Sequence, residues 1–520
     1  MRRICGSGLI VLLAIAFAGT SAAQPTDPTL VTIDSGMVRD GTAGEVISFK
    51  GIPYAEAPVG SLRWRAPRPA KPWQDVRDAL QFGPSCMQAA IENVSEDCLT
   101  VNVWRPAKPP AKPLPVMVWI HGGAMVRGGA YLYPGDALAA QGAVVVSMNY
   151  RLGRLGFFAH PAPAVEAPGE LRGNYGYMDQ IAALQWVERN SAAFGGDPGS
   201  VTIFGESAGG GSVLVHLTSP LSRGLFQRAI VQLAGAPAAR ARVTPTAELG
   251  VAEKVAVDYV RSLGIRGEGV AVLQALRALP AAKLIEGASG EEAIAALSAG
   301  TLVPGMAMSI RDGRQIVDVP DVALAAGRQA MVPVMVGAND RDLPIGLADS
   351  KDELFWTFGR FADEARKLYD PNGDQPLDEL KQQVFADRTL VEPARHLANE
   401  VAPAGQPTWL YRFSYVAEAA RGQVKGALHG MEIPYTLNVP AAVLGKKVTA
   451  ADKAMGAIAS AYWVAFAKTG DPNGNGRPLW PRHDPASGRM INFTNTGVVV
   501  EPDPLQARLD LCQKVWTRGR

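Results

Sequence analysis

The stretch Ser200-Val201-Thr202-Ile203-Phe204-Gly205-Glu206-Ser207-Ala208-Gly209-Gly210-Gly211 constrains this chain more than any other part of it. Its β-branched run predicts a strand, Gly-x-Ser-x-Gly follows at once, and small residues then open a helical pattern. Strand, serine and helix in that order form a nucleophile elbow, in which the serine sits on a strained turn at the top of a sheet. Gly205 and Gly209 are small because a Cβ at either would collide with the strand or the helix. The helix that starts after Ser207 turns its positive end toward developing negative charge. Such a turn requires a sheet with helices packed on it, and the neighbouring sequence supplies one. Leu114 to Ile120, Ala143 to Met148 and Val201 to Gly205 read as strands, with Asp179 to Asn190 a helix between the last two. Val332 to Gly337 and Thr408 to Ser414 have the same strand character. The fold class is therefore α/β, with a large, mostly parallel central sheet flanked by helices. Residues 240–330 and 345–400 carry Ala, Leu, Lys and Glu at helical spacing and read as insertions that wall a pocket. No Pro- or Ser-rich linker sets them apart, so residues 24–520 read as a single domain, with Pro106 to Pro115 a surface loop.

A serine nucleophile needs donors for the oxyanion, a general base and an acid to orient that base. Trp119-Ile120-His121-Gly122-Gly123-Ala124-Met125 follows a strand, and its glycines let the backbone approach a substrate oxygen. Gly122 and Gly123 with Ala124, together with Ala208 after the nucleophile, are the expected oxyanion hole, the amides of Gly123, Ala124 and Ala208 donating. Six histidines exist. If the chain order is nucleophile, acid, base, His121 and His160 come too early, and His121 is expected to orient the glycine loop. His216 lies in the helix directly behind Ser207, His396 in a helical pattern and His483 in a Trp-Pro loop. His429 stands in the Gly-flanked segment Lys425 to Tyr435 after a strand, where a base belongs. The acid should follow the strand ending at Gly337, and both Asp340 and Asp342 compete there; spacing alone leaves them level.

Lys and Arg total 51 against 49 Asp and Glu, a balance that recruits neither nucleic acid nor anionic lipid. Met1 to Ala23 reads as a secretory signal: Arg2 and Arg3 open it, Leu9 to Gly19 is its apolar run, and Ser21-Ala22-Ala23 is the cleavage site. That run is too short to span a bilayer, so no membrane insertion is expected once it is removed, and the protein should be secreted or periplasmic. Cys86 and Cys98 lie in turn-rich segments of an exported chain and are expected to form a disulfide, leaving Cys512 free. No His or Cys cluster suggests a metal, and no cofactor is expected.

These strings together resemble the type B carboxylesterase family, the cholinesterase and para-nitrobenzyl-esterase group of α/β-hydrolases. The resemblance runs from about Val31 to Asp484 and includes Phe49 to Ala55, Ser95 to Trp104, Asn149 to Gly153, Gly173 to Gly176, Phe194 to Pro198 and Lys468 to Asn473. It implies a serine carboxylesterase acting on a small-molecule ester through an acyl-enzyme, without a cofactor. It also implies Ser207 as nucleophile, His429 as base and Asp342 as the acid, and it matches Cys98 and its upstream partner to the family's first disulfide. Two departures stand out: Asp342-Leu343 replaces the family's Glu-Gly, a side chain one methylene shorter, and Ala124 replaces a third glycine. Relatives that serve adhesion lose the serine, which this chain keeps. Cholinesterase action is disfavoured, because the segment between Cys86 and Cys98 has no aromatic residue to hold a quaternary ammonium.

Overall fold

The structure, a computed structural model, describes residues 27–517 apart from 28, 41–43, 109, 233–245, 299–300 and 343–347. The expected signal segment, residues 1–23, lies outside the described residues, as does Leu343.

A ten-stranded sheet forms the centre. In chain order its strands are β1 (Val46–Pro53), β2 (Thr100–Pro106), β3 (Leu114–Ile120), β4 (Val144–Met148), β5 (Gly196–Glu206), β6 (Arg228–Gln232), β7 (Val334–Asn339), β8 (Thr408–Phe413), β9 (Arg489–Thr494) and β10 (Gly497–Pro502). Their order across the sheet is β10-β9-β8-β7-β6-β5-β3-β4-β2-β1. Neighbours from β4 through β9 pair in parallel, whereas β1, β2 and β10 pair antiparallel at the two margins. The mostly parallel centre matches the expectation from sequence.

Alternation along the central strands sends side chains to two separate cores. Val116, Val118 and Ile120 of β3 pack with Leu184 and Val187 of helix α1 (Tyr175–Asn190) and Val213 of α2 (Ala208–Thr218). Met117 and Trp119 face the other way, into a cluster with Tyr411. The helix α6, spanning Ala450–Thr469, lays Trp463 and Phe466 on that second face. Covered on both sides, β4 is buried at all five positions, which is why it reads as an unbroken apolar run. The inserted segments are helical as expected: α3 (Leu249–Ser262) and α4 (Gly269–Ala278) lie in the first, and α5 (Glu392–Val401) in the second.

Boundaries differ from the sequence reading where turn residues continue an element. β5 begins at Gly196, five residues before Val201, because Asp197-Pro198-Gly199 is carried as an irregularity in its pairing with β3. α1 starts at Tyr175, four residues before Asp179.

Asp179 explains why α1 holds its place. Its carboxylate takes both Nε and Nη2 of Arg151 at 2.7 Å and the Arg151 backbone N–H at 3.0 Å. Arg151 then reaches the carbonyl of Arg65. Neither side chain is more than 4% exposed. Removing one member strands the other charge in the core, so Asp179→Ala should lower stability by about 3–5 kcal/mol. A urea titration should show the midpoint falling with the slope unchanged.

Candidate active site

Parallel strands end at the same edge of the sheet, so the loops following β3, β5, β7 and β8 converge there. Ser207 follows β5 directly, with φ 56° and ψ −123°, and α2 begins at the next residue. This left-handed conformation is unusual for a residue with a Cβ and is held by its surroundings. A Cβ on Gly209 would lie 2.0 Å from the carbonyl oxygen of Ile120, and one on Gly205 would lie 2.6 Å from the same atom. Both glycines are needed because α2 and β5 press against the end of β3.

The loop after β3 lies against that turn. A Cβ on Gly122 would come within 3.1 Å of the Ser207 Cβ and 2.7 Å of the Glu206 carbonyl oxygen. Gly123 (φ 105°), Ala124 (φ 54°) and Met125 (φ 58°) are consecutive residues in the left-handed region. The N–H groups of Val126 and Arg127 close the turn onto the Gly123 carbonyl. His121 braces it from behind: its ring stacks on Tyr150 at 4.4 Å, and its carbonyl accepts from the Tyr150 hydroxyl at 2.7 Å. Burial pushes the His121 pKa down to about 4. Gln88 ties the disulfide segment to the same loop, donating to the Gly128 carbonyl at 2.7 Å and accepting from the Gly128 N–H at 2.8 Å. Cys86 and Cys98 are bonded as expected, and Cys512 is free and buried. The Ala208 amide opens α2 and has no acceptor within the helix.

His429 Nε2 lies 2.9 Å from Ser207 Oγ, and its Nδ1 lies 2.9 Å from Asp342 Oδ2. Asp342 is 1% exposed, and the shorter side chain spans the distance. Asp340 has a different task. Its Oδ1 accepts the Ala427 N–H at 2.8 Å, while Arg341 N–H bonds the Ala427 carbonyl, so this residue pins the segment that carries His429. Three other histidines lie in the framework: His216 bonds Ser222 and Gln180, His483 bonds Asn399, and His396 faces Glu400 at 3.7 Å.

Two buried carboxylates beside the imidazole received no role from the sequence. Glu206 Oε1 lies 3.3 Å from His429 Nε2. Glu432 accepts from Asn339 Nδ2 at 2.8 Å and from Gln232 Nε2 at 3.4 Å, and Trp463 in turn donates to Gln232. Asn339 also holds the Leu428 carbonyl. Both acids stand inside motifs already singled out, one residue before the serine and three after the histidine. Burial raises Glu206 to about 7 and Glu432 to about 8, each also pushed up by a neighbouring carboxylate. Burial pushes His429 down, but the charges of Glu206 and Asp342 outweigh it and raise the imidazole above its ordinary range. Among the described residues no group of three or more His, Cys, Asp or Glu is arranged to hold a metal ion.

The Carboxylesterase family model matches residues 27–511. The chain belongs to the carboxylesterase family. It is 36% identical to fumonisin B1 esterase of Sphingopyxis macrogoltabida, covering 91% of this chain and 88% of that one. It is 34% identical to liver carboxylesterase 1 of Oryctolagus cuniculus, with 92% of each covered. A solved PNB esterase superposes with a TM-score of 0.78 at 31% identity, over 94% of this chain and all of that one. The fold is thus the α/β-hydrolase fold, and the protein is a carboxylic ester hydrolase with small-molecule ester substrates.

A general base at His429 must be neutral to accept a proton, so an activity that uses it falls as pH drops through that pKa. Replacing Glu206 by Gln removes a negative charge that favours the imidazolium. The pKa should fall, and the acid limb of the kcat/KM profile should move down by about one pH unit or more. An unmoved limb would show that Glu206 does not act on His429.

Proposed function

We propose that Ser207 is the nucleophile of this esterase, His429 its general base and acid, and Asp342 the group that fixes the imidazole tautomer. The observation that carries this reading is the continuous pair of 2.9 Å contacts from Asp342 through His429 to Ser207. The Ser207 hydroxyl gives its proton to His429 Nε2 as Oγ attacks the ester carbonyl. The resulting oxyanion takes hydrogen bonds from the amides of Gly123, Ala124 and Ala208, with Gly122 permitting the approach. His429 then protonates the departing alcohol, leaving an acyl-enzyme. A water deprotonated by the same nitrogen releases the acid and restores Ser207.

The acyl pocket is walled by the helical insertions, and a panel of para-nitrophenyl esters of increasing chain length reads its depth. The protein is exported to the periplasm or secreted through residues 1–23; the Cys86–Cys98 bond supports an oxidising destination. No helix among the described residues is long and apolar enough to cross a membrane. Mass analysis of the exported protein should find Gln24 at the amino terminus.

Ser207→Ala should cost on the order of 10⁴ in kcat and abolish labelling by an organophosphonate. Asp342→Asn should cost up to about 10⁴ with the fold intact, since the amide favours the wrong tautomer. Asp340→Asn keeps an oxygen that can accept the Ala427 N–H and should change kcat little. A severe loss at Asp340 with a near-normal rate at Asp342 would overturn the assignment of the acid.

A further inference from the structure

A cavity of about 510 Å³ opens between α3, the start of α4 and the segment around His160. Its size lies within the roughly 300–1,000 Å³ of small-molecule sites. None of the residues around Ser207 lines it. Val165, Val257, Val260 and Ile265 give it an apolar wall, and its polar groups are His160, Arg261, Arg266 and Glu268.

His160 is 5% exposed, and its ring stacks on Phe158 at 5.7 Å. Nδ1 accepts the Ala162 N–H at 3.1 Å. An imidazole that accepts at Nδ1 carries its proton at Nε2 when neutral, and burial keeps it neutral by pushing its pKa down to about 4. No group among the described residues takes that Nε2 proton, so the ring offers the cavity an unused donor.

The N-terminus of α4 enters the same space. Glu268 is its N-cap but makes no side-chain capping bond. The first-turn amides of α4 therefore remain open donors at the positive end of the helix. Gly267 (φ 101°) and Gly269 (φ 67°) let the backbone turn into the cavity. Arg266 is exposed and has no ion-pair partner among the described residues. Arg261 meets Asp258 loosely, at 3.7 Å, with its side chain 62% exposed. Glu268 is the one carboxylate of the lining and opposes two guanidinium groups and a helix terminus.

We propose that this cavity is a second binding site for a carboxylate bearing a short hydrocarbon tail, the chemical class of the acid that ester hydrolysis releases. The carboxylate lies between His160 Nε2, the α4 amides and Arg266, and the tail lies on Val260 and Ile265. The test is isothermal titration of the full enzyme with sodium octanoate and with octan-1-ol, after labelling of the active serine with an organophosphonate, checked by mass. Failure to label would count against the assignment of Ser207 and not against this site. The labelled enzyme should bind one octanoate saturably and octanol far more weakly. Exchanging both exposed arginines, Arg261→Gln with Arg266→Gln, should weaken octanoate by about tenfold. Glu268→Gln should tighten it. Absence of saturable binding, equal binding of octanol, or an unchanged affinity in the double arginine variant would each overturn the proposal.

Discussion

The edge of the sheet that carries Ser207 depends on how closely the carbonyl of Ile120 is approached. The end of β5 at Gly205 and the first turn of α2 at Gly209 come so close that a Cβ on either would collide with it. That contact fixes the distance between β3 and the turn at Ser207, and so between the Gly122 to Met125 loop and Ser207. Gly122 continues the packing, leaving no room for a methyl group between the loop and the serine Cβ. The strained backbone at Ser207, Ala124 and Met125 is affordable because strands and a helix hold both ends of each turn. The placement of Ser207 against the loop after β3 is thus set by backbone against backbone, which does not change rotamer.

Charge is arranged with the same economy. One imidazole faces Asp342 at Nδ1 and has Glu206 beside Nε2, with Glu432 behind. Three ionised acids around one base would hold it protonated and useless for accepting a proton. Burial opposes that by disfavouring the ionised form of both glutamates and of the imidazole itself. Asn339, Gln232 and Trp463 form the chain that satisfies Glu432, linking the site to the core beneath it.

The sequence made the chemistry legible where residue type and neighbours are both restrictive. A serine between Gly205 and Gly209 at the end of a β-branched run admits few readings, and His429 emerges by elimination among six histidines. Asp340 and Asp342 were level because spacing says nothing of direction. The two-residue offset puts Asp340 onto the Ala427 amide and Asp342 onto the imidazole. Glu206 and Glu432 are not legible because a carboxylate in a motif reads as solvated, whereas the fold buries both. The margins of the sheet were missed for a related reason: β9 and β10 pair antiparallel at one side and lack the strand-helix rhythm that reveals the centre.

The insertions raise the question of how segments so far apart in sequence are fixed to one sheet. Buried arginines answer much of it. Arg154 donates to the carbonyls of Leu284, Glu286 and Pro304 and lies over the Tyr259 ring at 4.2 Å. Arg63 joins the end of α4 to Glu96, beside the disulfide, by donating to the carbonyls of Arg277 and Leu279 and pairing with the carboxylate. Carbonyls at helix ends are acceptors left over from helix formation, and a guanidinium fork can satisfy several at once. A lysine could serve only part of each set, so these positions demand arginine for its geometry as well as its charge. The sheet and its glycines thus fix Ser207 and the loop after β3, while arginine forks fix the inserted helices around them.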